Sequence, residues 1–214
     1  MILSLKSDRL DVKISTLGGR LLSCVFDGKE TTFGAGTDDA PDGGDLYSGV
    51  LCGRHAGRIT NAVFPLDGQQ IEVAKNRGVN HLHGGFDSFA HREWAHTQNG
   101  NRVELKLHSL DGDEGFPGAL DVKAVYELKD TVLSLSFEAT TTKPTLCNLT
   151  SHAYWNMAGS DTVLDQELMI AGSKYFPLDD EMLPLGDIAD VASTRWDFRA
   201  PRLIAEDYDN CFLL

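Results

Sequence analysis

The stretch ALDVKAVYELKDTVLSLSFEAT, residues 119–140, decides the fold. Apolar side chains occupy every second position, first over residues 120–128 and then over residues 133–139. This period of two is typical of β-strands that bury one face, and the tripeptide Lys129-Asp130-Thr131 between the two runs favours a turn. The stretch therefore predicts two strands joined in an antiparallel hairpin.

The same alternation recurs in DVKISTL (residues 11–17) and RVELKLH (residues 102–108), whereas no window of a dozen residues has a convincing helical period. Turn signals such as Asp27-Gly28 and Asn99-Gly100 separate the apolar runs at short intervals. Many short strands with glycine-rich turns predict an all-β sandwich with little helix. No boundary signal divides the chain, so residues 1–214 are predicted to form a single domain, with a mobile surface loop at residues 34–44.

The charge of the chain narrows the classes of partner. Lys and Arg total 19 against 32 Asp and Glu, which gives a formal net charge of -13. An acidic surface repels phosphate backbones and anionic membranes, so a role with nucleic acid or at a membrane is disfavoured, whereas a neutral small-molecule ligand is compatible with it.

The cysteines and the apolar runs predict the compartment. The N-terminus has no signal-peptide pattern, and no stretch of 18 apolar residues could span a membrane. Cys24, Cys52, Cys147 and Cys211 form no CxxC pair, and we interpret all four as core thiols in a reducing environment. The chain is therefore predicted to be a soluble cytoplasmic protein.

Two histidines stand one residue apart in HLHGG, residues 81–85. On an extended backbone His81 and His83 share one face, about 6–7 Å apart, which is the spacing of an H-x-H metal pair. A cupin-like metal site would also need a third histidine and a nearby carboxylate, but Asp87 and Glu93 follow a glycine pair that breaks the strand. The alternative is a histidine that only donates a hydrogen bond to a backbone carbonyl, and we favour it for His81.

A second candidate for chemistry is NLTSHAYWNMAG, residues 148–159. On a strand, five polar or amphipathic side chains would share one face: Asn148, Thr150, His152, Tyr154 and Asn156. Such a face is typical of a ligand cleft, in which Tyr154 or Trp155 could stack on a sugar or a base ring. A solvated sheet face is the alternative.

Two arginines four residues apart, Arg54 and Arg58, lie among small residues in GRHAGRI. Small neighbours allow the backbone to approach closely, and a guanidinium held in this way offers several donors to a carboxylate or to a set of hydroxyls. A surface salt bridge is the alternative that the residues themselves leave open.

Five blocks of the sequence occur in a recognisable order: GRHAGRI, NHLHGG followed by REW, NLTSHAYWN, WDFR and YDNCF. In this order they resemble the aldose 1-epimerase (galactose mutarotase) family over most of the chain. The resemblance implies a large antiparallel β-sandwich of the galactose-mutarotase type, with a sugar cleft and no cofactor. It also implies an isomerase that interconverts the α and β anomers of free hexoses, such as glucose and galactose, by acid/base-catalysed ring opening.

The resemblance further implies roles for four side chains. His83, which stands before the glycine pair, and His152 match the catalytic imidazoles of the family. We expect His152 to be the general acid at the ring oxygen and His83 to bind and polarise that region. Arg58 and Asp209 match residues that contact sugar hydroxyls, and no metal is implied.

The chain departs from the family pattern at three places. Gly57 stands where asparagine is usual, and Asn210 stands where histidine is common. The glutamate that serves the family as general base, downstream of the aspartate block, has no match here. We therefore expect a chain that is truncated on the C-terminal side of the family fold.

Several alternatives remain open at this stage. One is a catalytically impaired carbohydrate-binding member of the same fold. Another is a hexose-phosphate epimerase, for which Arg54 and Arg92 would supply positive charge near the cleft. A cupin-like metal protein is the third, and either a monomer or a homodimer is compatible with the sequence.

Overall fold

The computed structural model describes residues 1–33 and 47–214. The regular structure of these residues consists of strands and three short 3-10 helices, Thr60–Ala62, Phe89–His91 and Asp113–Gly115. The strands, in chain order, are β1 (Ile2–Lys6), β2 (Leu10–Ser15), β3 (Leu21–Phe26), β4 (Lys29–Glu30), β5 (Leu51–Cys52), β6 (Arg58–Ile59), β7 (Val63–Leu66), β8 (Gln69–Glu72), β9 (His81–Leu82), β10 (Ala95–Asn99), β11 (Arg102–Ser109), β12 (Leu120–Lys129), β13 (Val132–Thr141), β14 (Thr150–Ser151), β15 (Glu167–Leu168), β16 (Lys174–Tyr175), β17 (Ala189–Asp190), β18 (Arg202–Leu203) and β19 (Phe212–Leu213).

The described residues contain no α-helix, which confirms the all-β prediction. None of their helices is long or apolar enough to cross a membrane. The surface loop predicted at residues 34–44 lies outside the described residues. The chain divides into two compact units, Met1–Trp155 and Asn156–Leu214. The single domain that the sequence indicates stays a prediction.

The predicted hairpin is formed by β12 and β13, which pair in antiparallel register with Lys129 opposite Val132. Only two residues connect the strands, and Asp130 has a φ of 54°. Alternate β12 side chains are buried, as the period of two requires: Leu120, Val122, Ala124, Tyr126 and Leu128. The inward side chains of β13 are less covered, since Leu133, Leu135 and Phe137 only pack against the edge of the core.

The first unit contains two four-stranded antiparallel sheets, ordered β1-β2-β3-β4 and β10-β11-β12-β13. One hydrophobic core joins them, with Val12 and Ile14 from the first sheet and Leu105 and Ala124 from the second all fully buried. Burial of each Val, Ile or Leu side chain contributes about 1.5–3 kcal/mol. The two sheets therefore form the sandwich that the alternating pattern predicts.

Short strand pairs flank this sandwich and carry the blocks that contain the candidate site. β6 pairs with β9, which places Arg58 opposite Leu82. β14 pairs with β5, which places Thr150 opposite Cys52. Each of these strands has only two residues, so specific side-chain contacts must supply much of the local order.

The second unit contains a two-stranded sheet, β15-β18, and a three-stranded sheet, β17-β16-β19. The apolar run near Leu214 supplies β19, whose Phe212 pairs with Tyr175. Tyr175 stacks on Trp196 with ring centroids 4.5 Å apart. The apolar side chains of this run thus contribute to a sheet.

The four cysteines are free thiols, but they do not share one environment. Cys24 and Cys52 are buried in strands, as predicted. The prediction of core thiols is wrong for Cys147 and Cys211, which are exposed. Both lie in irregular segments next to strands, where alternation no longer directs a side chain inward.

Candidate active site

The strand that carries HLHGG is shorter than an H-x-H pair requires. β9 ends at Leu82, and His83 has a φ of 48°, in the left-handed region. The extended backbone that an H-x-H metal pair would require is therefore absent here, because the turn toward the glycine pair begins at His83 itself.

His81 is a structural residue. Its side chain is 0% exposed, and its Nδ1 lies 2.7 Å from the carbonyl oxygen of Ala74. A carbonyl only accepts, so Nδ1 carries the proton of this hydrogen bond. The ring edge also packs on Phe116, with centroids 5.3 Å apart, and burial lowers the pKa of His81. These contacts confirm the bond to a backbone carbonyl that was favoured for His81.

The glycine pair after His83 is required by close packing. A Cβ atom on Gly84 would overlap the carbonyl of Gly53, and one on Gly85 would overlap the carboxylate of Glu114. The same carboxylate accepts the backbone N–H groups of Phe86, at 3.1 Å, and Asp87, at 2.8 Å. The turn that follows His83 is thus held by a buried backbone contact on one side and by Glu114 on the other.

The ring of His83 is held in one protonation state. The N–H of Gly57 donates to Nδ1 of His83 at 3.0 Å, while the N–H of His83 donates back to the Gly57 carbonyl at 3.0 Å. Burial above all, and then the nearby His152 and Arg58, lower the pKa of His83 to about 4. At neutral pH the ring is therefore neutral, with its single proton on Nε2.

Gly57 itself, one of the departures from the family pattern, has a φ of 85°, and a Cβ placed on it would meet no atom within 4 Å. Its contribution to the site is made by the backbone, through the two hydrogen bonds with His83.

His83 lies in a cluster of aromatic rings. Its centroid is 5.0 Å from that of His152, with the ring planes at 87°, and 4.7 Å from that of Tyr47. Tyr47 is also 6.1 Å from His152, and Tyr154 is 5.1 Å from His152. The structure thus brings together the two histidines that come from separate sequence blocks.

Tyr47 is a member of this cluster that the sequence analysis missed. Burial raises the pKa of its phenol, so the ring is neutral in the working range of a histidine. Nothing in the local sequence marks Tyr47, since its partners lie about 36 and 105 residues away along the chain.

His152 is fixed through its backbone. Its N–H donates to the carbonyl of Val50 at 2.8 Å, and its own carbonyl accepts the N–H of Gly49 at 2.9 Å. Beside it, Tyr154 and Trp155 are 45% and 46% exposed, so part of each ring faces solvent. Their stacking on a ligand stays a prediction.

The five polar side chains around His152 do not share the face of one strand, because β14 comprises only Thr150–Ser151. Asn148 instead donates its side-chain amide to the carbonyl of Ala56 at 3.1 Å. Asn156 is buried in the second unit, where its side chain donates to the carbonyl of Ser160 at 2.5 Å. Of the predicted polar face, His152 and Tyr154 remain in the ring cluster.

The two predicted sugar-binding residues lie in different units. Arg58 is half-buried in β6, opposite Leu82, and is close enough to His83 for its charge to lower the pKa of that ring. Asp209 is exposed and lies between β18 and β19 in the second unit. The first unit therefore brings His83, His152 and Arg58 together.

With this geometry in place, the chain can be compared with known proteins. The model of the aldose 1-epimerase family matches residues 1–214. The chain belongs to the aldose 1-epimerase family. It is 34% identical over 223 residues to aldose 1-epimerase of Escherichia coli K12, and 39% identical over 157 residues to galactose mutarotase of Bos taurus. These alignments cover 95% and 72% of this chain, which spans 64% and 46% of the two relatives.

Solved structures confirm the galactose-mutarotase type of fold for this family member. The GalM/aldose epimerase homologue from C. elegans superposes with a TM-score of 0.89 at 29% sequence identity, covering 95% of this chain and 65% of that one. Galactose 1-epimerase from Lactobacillus acidophilus gives a TM-score of 0.87 at 28% identity, covering 95% of this chain and 62% of that one.

Arg54 of this aldose 1-epimerase family member is neither a ligand donor nor a surface salt bridge. Its side chain is 2% exposed. Its guanidinium donates to the Ser109 hydroxyl at 2.9 Å, to the Gly118 carbonyl at 2.7 Å, and to the carbonyls of Pro117 and Leu110. Arg54 therefore ties together both ends of the loop that carries Glu114.

Arg92 is also engaged within the protein. Its guanidinium makes two hydrogen bonds to the carboxylate of Asp113, at 2.6 Å and 2.8 Å, and an ion pair with Asp87 at 3.2 Å. These contacts raise the pKa of Arg92 and lower that of Asp113. The two arginines that a hexose-phosphate site would use thus already have partners. Within residues 1–33 and 47–214, no three His, Cys, Asp or Glu side chains are grouped so as to hold a metal ion.

Proposed function

We propose that this chain acts as an aldose 1-epimerase, which interconverts the α and β anomers of free hexoses such as galactose and glucose. The observation that supports the proposal is the pairing of His83 with His152 at 5.0 Å, in a ring cluster that also contains Tyr47 and the partly exposed Tyr154. The family to which the chain belongs and the names of its relatives agree with it.

Anomer exchange needs two placed proton-transfer groups. A base removes the proton of the anomeric hydroxyl while an acid protonates the ring oxygen, so that the C–O bond opens. The free aldehyde rotates by half a turn, and the same groups then close the ring with their roles reversed. Each positioned acid or base contributes about 10²–10⁴-fold to the rate.

We assign the general-acid role to His152 and a hydrogen-bonding role to His83. With its pKa near 4, His83 is not an imidazolium at neutral pH, but its Nε2–H remains a donor for an oxygen of the sugar ring. Histidine as a residue type suits the acid role, because an imidazole can both give and take a proton near neutrality.

Arg58 is proposed to hold the sugar through its hydroxyls, which supplies the orientation on which proton transfer depends. For Asp209, in the second unit, the contact with sugar hydroxyls implied by the family resemblance stays a prediction. We expect the general base to be a carboxylate beside the anomeric hydroxyl, and we assign no residue of this chain to it.

Polarimetry on freshly dissolved α-galactose and α-glucose tests the proposal. The wild-type protein should accelerate mutarotation above the buffer rate, and His152→Ala should lose most of that acceleration. His108→Ala is the matched control, because His108 is an exposed histidine whose Nδ1 lies 2.7 Å from Asp121 on the sandwich. A wild-type rate equal to that of buffer would contradict catalysis, and saturable galactose binding in that case would support a carbohydrate-binding role instead.

A further inference from the structure

The side chain of Asn76 binds the backbone of Leu82, the residue before His83, with the hydrogen bonds that a neighbouring β-strand would make. Asn76 accepts the N–H of Leu82 on Oδ1 at 2.7 Å and donates from Nδ2 to the carbonyl of Leu82 at 2.8 Å. A neighbouring strand would offer Leu82 the same donor and acceptor pair. Because β6 lies on the other edge of β9, Leu82 is fixed from both sides.

The position of His83 needs this second support. β9 has only two residues, so few main-chain hydrogen bonds fix the position of the His83 backbone that follows it. His83 is also a non-glycine residue in the left-handed region, which persists only where the surroundings enforce it. The bond from the Gly57 N–H to Nδ1 of His83 depends on that position, since the same two residues are joined through their backbones.

We propose that Asn76 is a positioning residue for His83: its amide fixes Leu82, and through Leu82 it maintains the His83 ring with Nδ1 on the Gly57 N–H and a proton on Nε2. Its relevance to anomer exchange rests on the function proposed above.

The chain contains a matched control for this role. Asn101 makes the same double contact with Lys6, accepting the Lys6 N–H at 2.9 Å and donating to the Lys6 carbonyl at 2.7 Å. Asn101 lies between β10 and β11, and it supports the end of β1 in the sandwich. Asn76→Ala and Asn101→Ala therefore remove identical hydrogen bonds, of which only one pair adjoins His83.

The test combines kinetics with ¹⁵N NMR of the histidine rings. Asn76→Ala is expected to lower kcat about 10- to 100-fold with KM little changed, as a small misplacement of a catalytic group does. The Nδ1 and Nε2 signals of His83, well separated in a single neutral tautomer, should move toward each other in this variant. Asn101→Ala should leave both the kcat and the His83 signals as in the wild type.

Wild-type His83 signals in a folded Asn76→Ala protein would overturn the proposal, as would equal effects of the two substitutions. If Asn76→Ala does not fold, Asn76→Asp is used instead, because it keeps the acceptor for the Leu82 N–H and removes only the donor. Unchanged His83 signals in that variant, or effects equal to those of Asn101→Ala, would likewise overturn the proposal. If the wild type shows no mutarotation, the proposed function fails, while the NMR comparison still tests Asn76.

Discussion

The sandwich and the ring cluster of the first unit are held together in different ways. The sandwich depends on long strands such as β12, whose alternate side chains fill a shared core. The ring cluster depends on two-residue strands, a glycine pair and individual side-chain contacts from Asn76 and Glu114. Core packing is redundant, because many residues contribute. The site, by contrast, should respond to single hydrogen bonds that hardly affect the sandwich.

The largest effect is expected where the backbone of the site is packed most closely. Gly84→Ala forces a Cβ onto the Gly53 carbonyl at a φ of 93°, so it should destabilise the protein by about 4 kcal/mol or more. Gly68→Ala, at a φ of 76° with open space around it, should cost only about 1 kcal/mol. Urea unfolding of the two variants measures the difference, and equal losses would contradict the packing argument.

Truncation of a core side chain tests whether the sandwich can lose stability without a change in the ring cluster. Leu105→Ala removes a fully buried side chain and should lower the free energy of unfolding by about 3 kcal/mol. The remaining folded protein should keep the ¹⁵N ring signals of His83, because Leu105 belongs to the sandwich core. A displaced His83 signal in this variant would mean that core and site are coupled.

The low pKa of His83 predicts a pH dependence of stability. The pKa is about 4 in the folded state and about 6.5 in the unfolded chain, so the unfolded state binds the extra proton between these values. The stability that depends on a neutral His83 is fully present above pH 6.5 and is lost as the pH falls toward 4. Between pH 7 and pH 5 the free energy of unfolding of the wild type should therefore fall by about 2 kcal/mol.

Urea unfolding at both pH values measures this loss, with His83→Gln as the variant that lacks the group. The drop in stability from pH 7 to pH 5 should be smaller in His83→Gln than in the wild type. An identical drop in both proteins would mean that His83 titrates normally in the folded state.

The smallest effect is expected for the carboxylate that supports the glycine turn. Glu114→Gln keeps one acceptor for the N–H groups of Phe86 and Asp87 but loses the other, which should cost about 1 kcal/mol. The His83 ring signals should shift in this variant. Glu104→Gln is the control, since Glu104 is a sandwich residue that pairs with Lys106 on the surface, and it should leave the His83 signals unchanged.

The regular part of the molecule could be predicted from the sequence because its information is local. Every second residue of β12 faces one core, so the pattern from Leu120 to Leu128 is sufficient. The blocks around His83 and His152 likewise marked the two imidazoles that the structure brings together.

The rest of the site depends on contacts that no local pattern encodes. The glycine pair predicted a break in β9, but not that His83 itself would adopt a φ of 48°. The sequence left Arg54 open as a ligand donor or a surface salt bridge, whereas it donates to the Ser109 hydroxyl and to carbonyls about 55 to 65 residues away. The role of Tyr47 is of the same kind, since only the folded chain places its ring beside His83.

A galactose titration followed through the ¹⁵N ring signals tests the central claim most directly, namely that His83 and His152 form the sugar site. Both histidines should shift together and saturate, with Nε2 of His83 remaining protonated and His108 unmoved. Saturable galactose binding that leaves the signals of both His83 and His152 unchanged would contradict the account.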